Sequence, residues 1–245
     1  MVQHGALYLV PTGLGAEDVA SVLPQATLEP VRRITHFIAE NPKTARAFLK
    51  AIGHPSSLQS VRITTLDEHT SPSHIEALLQ PLREGHDCGL LSEAGAPAVA
   101  DPGALLIRAA HAAGVRVVPL VGPSALLLAV MGSGMNGQRF AFHGYLPVDA
   151  AARVKALVGL ENESARGGMT QFFIEAPYRN DALLAAILDT CRPDTLLGLA
   201  TDLTGPNEAV RTQAVSEWKK ERPALARRPT VFLLYRESAG RAQKR

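Results

Sequence analysis

Short apolar runs alternate with longer amphipathic stretches through the first half of the chain. The runs are rich in Val, Ile and Leu and end near Gly, Pro, Asp or Ser, which is typical of β-strands, whereas the longer stretches have helical spacing. Strands are predicted at 6–10, 34–39, 61–66, 88–91 and 115–120, and helices at 42–52, 72–84 and 103–113, with another helix beginning within 16–22. Because parallel strands need crossover connections, this alternation predicts a parallel sheet.

The pattern changes after a glycine-rich stretch at 132–138, which has no apolar periodicity. Strands are predicted beyond it at 140–146, 171–175, 196–200, 209–211 and 230–235, and helices at 150–160, 180–190 and 213–221. The last strands are joined by short connections, which favours a mixed sheet over a purely parallel one.

We therefore predict an α/β protein with two domains. The predicted parts are an N-terminal parallel-sheet domain at 1–122, a connecting helix and linker at 123–138, a C-terminal mixed-sheet domain at 139–237 and a mobile basic tail at 238–245. With 46% hydrophobic residues in a chain of 245, both domains can bury a core.

Positive charge is concentrated near the C-terminus. The net charge is only +2, yet residues 211–245 hold ten Lys or Arg against three Asp or Glu, while residues 1–210 hold fifteen against twenty. Such a basic segment suits a polyanion such as RNA. The alternative is a solvated last helix and tail with no partner.

Metal, disulfide and membrane chemistry find little support in the sequence. Cys88 and Cys191 lie far apart in apolar segments and read as reduced core thiols, and the eight histidines lack the spacing of metal ligands. No apolar run approaches the roughly 20 residues that span a bilayer, and the first residues lack a basic leader. We expect a cytoplasmic protein without metal or membrane contact.

Two loops carry the strongest functional signal. The sequence S-E-A-G-A-P-A-V-A-D-P-G occupies 92–103, directly after a predicted strand, and V-V-P-L-V-G-P-S-A occupies 117–125. Glycine lets a ligand approach the main chain and proline stiffens a loop in advance, so these segments predict a ligand-binding rim. Neither a G-x-G-x-x-G nor a G-x-x-x-x-G-K-[ST] pattern occurs, which disfavours dinucleotide and ATPase-type phosphate sites.

These loops, with P-T-x-x-G at 11–15 and F-x-F-H-G-Y-L-P at 140–147, resemble the tetrapyrrole methylase superfamily of S-adenosylmethionine-dependent methyltransferases. They are most similar to its branch of small-subunit ribosomal RNA methyltransferases, which modify the ribose 2′-hydroxyl of a cytidine. The resemblance covers about 7–237 and implies two α/β domains with S-adenosylmethionine in the cleft between them, and a homodimer.

The resemblance also implies which residues bind the methyl donor. They are Pro11, Thr12, Gly13, Ser92, Glu93, Ala94, Gly95, Pro97, Val121, Gly122, Pro123, Ser124, Ala125, Glu175, Ala176, Leu203, Thr204, Pro229 and Thr230. A ribose hydroxyl must lose its proton during transfer, so a carboxylate is needed as base or orienter, and Glu93 and Asp101 are the catalytic candidates. The alternatives are that Asp101 caps the following helix and that Glu93 only ties its own loop together.

Side chains for an RNA acceptor are also present. Tyr145 and Tyr178 are candidates for stacking on a base, and Arg179, Arg227 and Arg228 for contacting phosphates, although packing and solvated surface are the alternative roles. His143 has a similar pair of roles, as acceptor contact or as hydrogen-bonded core residue.

Several positions depart from the pattern of the RNA-methylating branch. A-E-D-T-R becomes A-E-N-P-K at 39–43, S-D-A-G-T-P becomes S-E-A-G-A-P, Y-E-S-x-x-R becomes I-E-A-P-Y-R at 174–179, R-E-L-T-K becomes T-D-L-T-G at 201–205, and K-G-E becomes R-P-T at 228–230. Donor binding tolerates these changes better than acceptor recognition. Two alternatives therefore stay open: methylation of a tetrapyrrole or other small molecule, and a non-catalytic descendant that binds donor or RNA.

Overall fold

The chain divides into two compact units, Met1–Ser124 and Ala125–Arg245. The structure, a computed structural model, describes residues 4–15, 18–67 and 69–237. The predicted tail at 238–245 and the first two residues of the helix predicted within 16–22 lie outside these ranges. An α/β fold with one parallel and one mixed sheet is confirmed.

The first unit is built on a five-stranded sheet in which every pairing is parallel. Its strands are β1 Leu7–Val10, β2 His36–Ala39, β3 Arg62–Thr65, β4 Cys88–Leu91 and β5 Val117–Pro119. Their order is β3-β2-β4-β1-β5. All four residues of β4 are buried, as expected for an inner strand of a sheet that is covered on both faces.

Among the described residues of this unit, five α-helices flank the sheet. They are α1 Gln25–Val31, α2 Pro42–Ala51, α3 Pro72–Leu78, α4 Gln80–Arg83 and α5 Ala104–Ala112. Helix α2 begins where sequence rules place it, with Pro42 in its first turn and the Asn41 side chain accepting a hydrogen bond from the main-chain N of Lys43 at 2.9 Å.

Two helix predictions in this unit were wrong in part, and one helix was not predicted. The helix predicted at 72–84 is interrupted at Leu79, because Pro81 has no N–H with which to continue it. Within 16–22 the described residues form only a short 3-10 turn, Val19–Ser21. Helix α1 was not predicted, because two prolines, Pro24 and Pro30, lie at its start and inside it and are more typical of a loop.

The second unit contains a mixed sheet. Its strands are β6 Phe140–Tyr145, β7 Thr170–Ile174, β8 Leu196–Thr201, β9 Ala209–Ala214 and β10 Thr230–Tyr235, in the order β6-β7-β10-β8-β9. Only β6 and β7 pair in parallel, while the other pairs are antiparallel. Phe173 and Phe232 stack at 5.9 Å in its core, and the buried Trp218 donates its ring N–H to the Leu197 carbonyl at 2.8 Å.

The α-helices described in this unit up to residue 237 are α6 Ala125–Ser133, α7 Ala150–Gly167, α8 Asn180–Thr190 and α9 Val215–Lys220. Helix α7 runs past the predicted end at 160, because no Gly in the left-handed conformation stops it before Gly168, where φ is 58°. Helix α9 starts two residues later than predicted, since residues 213 and 214 complete β9.

Both cysteines are buried and free, and burial raises the pKa of each thiol to about 12. Within the described ranges, no cluster of His, Cys, Asp and Glu has the arrangement of a metal site. The helices of the same residues include none that is long and apolar enough to cross a membrane.

Candidate active site

The site in the first unit starts from two neighbouring strands. Strands β1 and β4 pair in parallel with Val10 opposite Leu91, so the loops that begin at Pro11 and Ser92 leave the same edge of the sheet side by side. The carboxyl ends of parallel strands are where α/β proteins generally bind their ligands. The structure thus brings two of the predicted donor-binding segments together.

Buried hydroxyl groups fasten these two loops to each other. The main-chain N of Thr12 donates to the Gly95 carbonyl at 2.9 Å, and the Ser92 hydroxyl donates to that same carbonyl. The Thr12 and Ser92 hydroxyls are also hydrogen-bonded at 3.2 Å. Both side chains are therefore engaged within the protein, while the neighbouring Glu93 and Ala94 are exposed.

The backbone of the 92–103 loop adopts conformations that ordinary residues avoid. Gly95 has a φ of 73°, and Ala98 and Ala100 have φ values of 61° and 59°. A left-handed alanine costs of order 1–2 kcal/mol, so the surrounding contacts must hold the loop in one shape. Such a loop is organised before a ligand arrives, which reduces the entropy lost on binding.

The loop that follows β5 packs against the loops that follow β1 and β4. A Cβ atom added to Gly122 would lie 2.3 Å from Cγ of Pro11, and one added to Gly95 would lie 3.3 Å from the Pro123 carbonyl oxygen. The Thr27 hydroxyl of α1 donates to the Val121 carbonyl at 2.6 Å. The predicted segments at 11–13, 92–97 and 121–124 therefore form one continuous surface in this unit.

Three carboxylates gather beside this surface. Glu40, Glu93 and Asp101 line a shallow depression together with Leu66, Leu90 and Pro102. The Thr44 hydroxyl of α2 donates to Glu93 Oε1 at 2.7 Å, and the main-chain N of Glu93 donates to Asp101 Oδ2 at 3.3 Å. Both predicted catalytic residues thus lie in one acidic cluster.

Asp101 is the perturbed member of this cluster. Burial, with repulsion by Glu40 and Glu93, raises the pKa of Asp101 to about 6, against the opposing effect of the hydrogen bond from the Glu93 main-chain N. A carboxylate with this pKa is mostly ionised at pH 7 and can still take up a proton, which is the property of a general base.

Both residues make structural contacts, but these differ from the predicted alternatives. Helix α5 begins at Ala104, its N-cap is Gly103, and no side chain caps it, so Asp101 does not act as a helix cap. Glu93 does not tie only its own loop, because its carboxylate is bound by Thr44 from another helix.

In the second unit the predicted residues collect at one end of the mixed sheet. Thr230 is paired with Thr201, and Val231 with Ile174, so Glu175, Thr230 and the turn after Thr201 share this end. The Pro229 carbonyl accepts a hydrogen bond from the main-chain N of Asp202 at 2.9 Å. Ala176, Leu203 and Thr204 lie in the same group of loops.

Glu175 is the most buried charged residue of this group, with a side chain that is 0% exposed. Its Oε1 accepts hydrogen bonds from Ala176 N at 2.7 Å and from Arg179 Nε and Nη2 at 2.9 and 2.6 Å. Its Oε2 has no donor within the described residues. Arg179 was predicted to contact a phosphate. Its guanidinium is held in place by the Glu175 carboxylate, which also raises the pKa of the guanidinium.

Arg228 was also predicted to contact a phosphate, but its guanidinium is hydrogen-bonded within the protein. Its guanidinium donates to Asp202 Oδ2 at 2.6 Å, to the Thr201 hydroxyl at 3.0 Å and to the Asn207 carbonyl at 2.9 Å. These bonds hold a turn in which Asp202 and Thr204 have φ values of 48° and 65°. Arg228 therefore stabilises the turn, a role that no motif in the sequence predicted.

His143 lies in its strand with Nε2 2.6 Å from Gln171 Oε1. This contact agrees with the hydrogen-bonded structural role. Thr44, in contrast, was missed by sequence reasoning, because it lies on a helix far along the chain from the residue that it binds.

Comparisons with known proteins agree with this fold and these loops. The sequence profile of the tetrapyrrole (corrin/porphyrin) methylases matches residues 6–218. A ribosomal RNA small subunit methyltransferase I of Escherichia coli O157:H7 is 33% identical over 221 residues, which are 89% of this chain and 73% of that protein. One from Micromonospora olivasterospora is 38% identical over 206 residues, covering 83% of this chain and 61% of that protein.

A solved structure gives the same result for the fold. A crystal structure of the methyltransferase CobJ matches with a TM-score of 0.63 over 94% of both chains, at 18% sequence identity. The fold and the matched family profile together define a methyltransferase. More particularly, the chain belongs to the tetrapyrrole methylase family, in the branch of the ribosomal RNA small subunit methyltransferase I proteins.

Proposed function

We propose that this chain transfers the methyl group of S-adenosylmethionine to the ribose 2′-hydroxyl of a cytidine in small-subunit ribosomal RNA. The observation that carries the proposal is the acidic cluster of Glu40, Glu93 and Asp101 beside a preformed glycine-proline loop. The names of the similar proteins support the choice of acceptor, since they act on ribosomal RNA of the small subunit.

The residues present fit the methyl donor. Glu93, Ala94 and Gly122 are exposed on the surface formed by the three loops, and small side chains there leave the main chain accessible. The hydroxyls of Thr12 and Ser92 are already engaged, so polar contacts to the donor would come from main-chain groups near Glu93 and Ala94. When bound, S-adenosylmethionine supplies an electrophilic methyl group.

The protein's own part is to position the acceptor and to receive its proton. Asp101, with a pKa of about 6, would take the proton of the ribose hydroxyl while the hydroxyl oxygen bonds to the methyl carbon; the bond from that carbon to the donor sulfur would break, and S-adenosylhomocysteine would leave. Glu93 fixes Asp101 through its main-chain N–H and is itself fixed by Thr44. In this proposal Asp101 is the base and Glu93 an orienting residue.

Titration calorimetry followed by a transfer assay tests the proposal. We expect saturable binding of S-adenosylmethionine and of S-adenosylhomocysteine, and transfer of a radioactive methyl group to unmodified small ribosomal subunits. Because 2′-O-methylation blocks alkaline cleavage, the label should remain in an alkali-resistant dinucleotide that contains cytidine. Label in a base, or transfer only to a tetrapyrrole offered in parallel, would contradict the proposed acceptor. Absence of donor binding by the folded protein would contradict the enzyme activity itself.

We also infer that the protein works as a homodimer in the cytoplasm, where its RNA substrate is found, as the family resemblance implies. Sedimentation of the purified protein should give a species of twice the 26.1 kDa chain mass. A single species at the chain mass across micromolar concentrations would contradict the dimer.

A further inference from the structure

Two exposed tyrosines and two arginines lie at one end of the mixed sheet in the second unit. We propose that Tyr145, Tyr178, Arg179 and Arg227, here called the aromatic platform, bind single-stranded RNA by stacking on unpaired bases. The inference rests on the proposed function in taking RNA as the partner. Beyond the proposed function, it identifies the surface of the second unit that would bind the RNA strand to be methylated.

Tyr145 owes its position to an irregularity in its strand. The register of β6 against β7 shifts between Phe142 and Tyr145, so that Tyr145 rather than Gly144 stands opposite Ile174. Gly144 has a φ of 62°, which suits a glycine at a bulge. The bulge places Tyr145 beside the residue that precedes Glu175, and 59% of its surface is exposed.

The Tyr178 ring is held in place by the neighbouring Arg179 guanidinium. It lies in the short 3-10 turn Pro177–Arg179, and 73% of its surface is exposed. The Arg179 guanidinium lies 5.2 Å from the centre of its ring, and Nη1 donates to its hydroxyl at 3.3 Å. The fully buried Glu175 carboxylate anchors that guanidinium, so the ring is ordered before any ligand binds.

Arg227 supplies a positive charge next to this turn. Its main-chain N donates to the Pro177 carbonyl at 3.1 Å, and its side chain is exposed. Across 4–15, 18–67 and 69–237 it forms no ion pair, whereas its neighbour Arg228 is paired with Asp202 at 2.6 Å. Arg227 is thus the member of the pair that can meet a phosphate.

Exposed rings next to an unneutralised cation match single-stranded RNA in particular. Unpaired bases stack on tyrosine rings while phosphates of the same strand meet arginine, and bases within a duplex are not open to such stacking. The carboxylates of a tetrapyrrole would also pair with an arginine, so the discriminating feature is the pair of exposed rings beside it. The charge and the rings together therefore favour a single strand.

Binding of a short single-stranded RNA that contains 2-aminopurine tests the platform in the full chain. Tyr145→Leu and Tyr178→Leu remove a ring from an exposed site, so folding should be retained, and each should weaken binding about 5- to 100-fold. Each should also reduce the quenching of 2-aminopurine that stacking causes. Tyr145→Phe and Tyr178→Phe keep the ring and should stay within about twofold of the wild type.

The arginine has its own readout and a matched control. Arg227→Gln should reduce the slope of log affinity against log salt by about 0.7, the value for one phosphate contact on a single strand. Lys219→Gln removes another exposed cation of this unit, on α9, and should leave the slope unchanged.

Methyl transfer and donor binding measured on the same variants separate the two proposals. A wild-type protein that methylates ribosomal RNA, with leucine variants that bind RNA normally, would overturn the platform and leave the proposed function intact. RNA binding that depends on both tyrosines, in a protein that transfers no methyl group to ribosomal RNA, would support the platform and reject the proposed function.

Discussion

Asp101→Asn is expected to reduce the rate of methyl transfer by about 10²- to 10⁴-fold, the usual contribution of a positioned general base. Asparagine keeps the size of the side chain and an oxygen that can accept the Glu93 N–H, so the affinity for S-adenosylmethionine should change little. The measurement is single-turnover transfer to small ribosomal subunits, with donor affinity measured by calorimetry. A wild-type rate in this variant would remove Asp101 from the mechanism.

The pH dependence of the same reaction provides a second check. The wild-type rate should rise through about pH 6, as Asp101 with its pKa of about 6 becomes ionised, and this limb should be absent in Asp101→Asn. Asp194→Asn, which changes an exposed carboxylate in the second unit, serves as the control and should keep both rate and profile. An unchanged acid limb in Asp101→Asn would assign that limb to another group.

Stability should move in the opposite direction to activity. The pKa of Asp101 is raised above its unfolded value of about 4, so the favourable effect of its protonation is complete below pH 4 and is lost as the pH rises through 6. At pH 7–8 the charge destabilises the fold, and Asp101→Asn should gain about 1 kcal/mol after allowance for solvent screening. Urea denaturation at pH 4 and pH 8 measures the difference, which should disappear at the lower pH.

Gly122→Ala should disable the donor surface through a single methyl group. Its Cβ would lie 2.3 Å from Cγ and 2.5 Å from Cβ of Pro11, and a proline ring cannot rotate out of the way. The loop after β5 must therefore shift relative to the loop after β1. A displacement of about 1 Å can cost about 10²-fold in rate, and we expect kcat/KM for the donor to fall by up to that factor.

The control for this variant is Gly159→Ala, because a Cβ there meets no atom within 4 Å. Gly159 lies within α7, where alanine favours the helix by up to about 1 kcal/mol, so this variant should be active and slightly more stable. Gly122→Ala should in turn lose about 1–3 kcal/mol to overpacking while remaining folded by circular dichroism. Normal donor affinity in Gly122→Ala would show that the loops do not bind the donor.

Much of the fold could be predicted because its strands are short apolar runs with clear ends. Strands β4 and β10 have the predicted bounds, and the other eight strands were found with small shifts at their ends. Helix bounds were harder to predict near proline, because proline occurs both at the start of helices and where they are interrupted. Pro42 starts α2, whereas Pro81 interrupts a helix and Pro30 lies inside one. Local sequence does not distinguish these cases, because the contacts that decide them are distant.

The candidate site shows the same division. Motifs in the sequence pointed to the segments near Thr12, Ser92 and Gly122, but the contacts that join them follow from the strand order β2-β4-β1-β5. That order brings Thr44 to Glu93, across 49 positions, and Gly122 to Pro11. The raised pKa of Asp101 likewise depends on burial and, to a smaller extent, on the charge of Glu40, which lies just after the neighbouring strand β2.

The central position of β10 has a consequence for the biosynthesis of the protein. Its main chain bridges β7 and β8, so the sheet of the second unit is split into two halves until residues 230–235 are available. A nascent chain that has emerged only as far as residue 229 exposes two unpaired strand edges, which are prone to aggregate. The first unit contains all five of its strands by residue 119 and can close its sheet while translation continues. The two halves of the molecule can thus close their sheets one after the other, and the second half keeps two open strand edges until its last strand is synthesised.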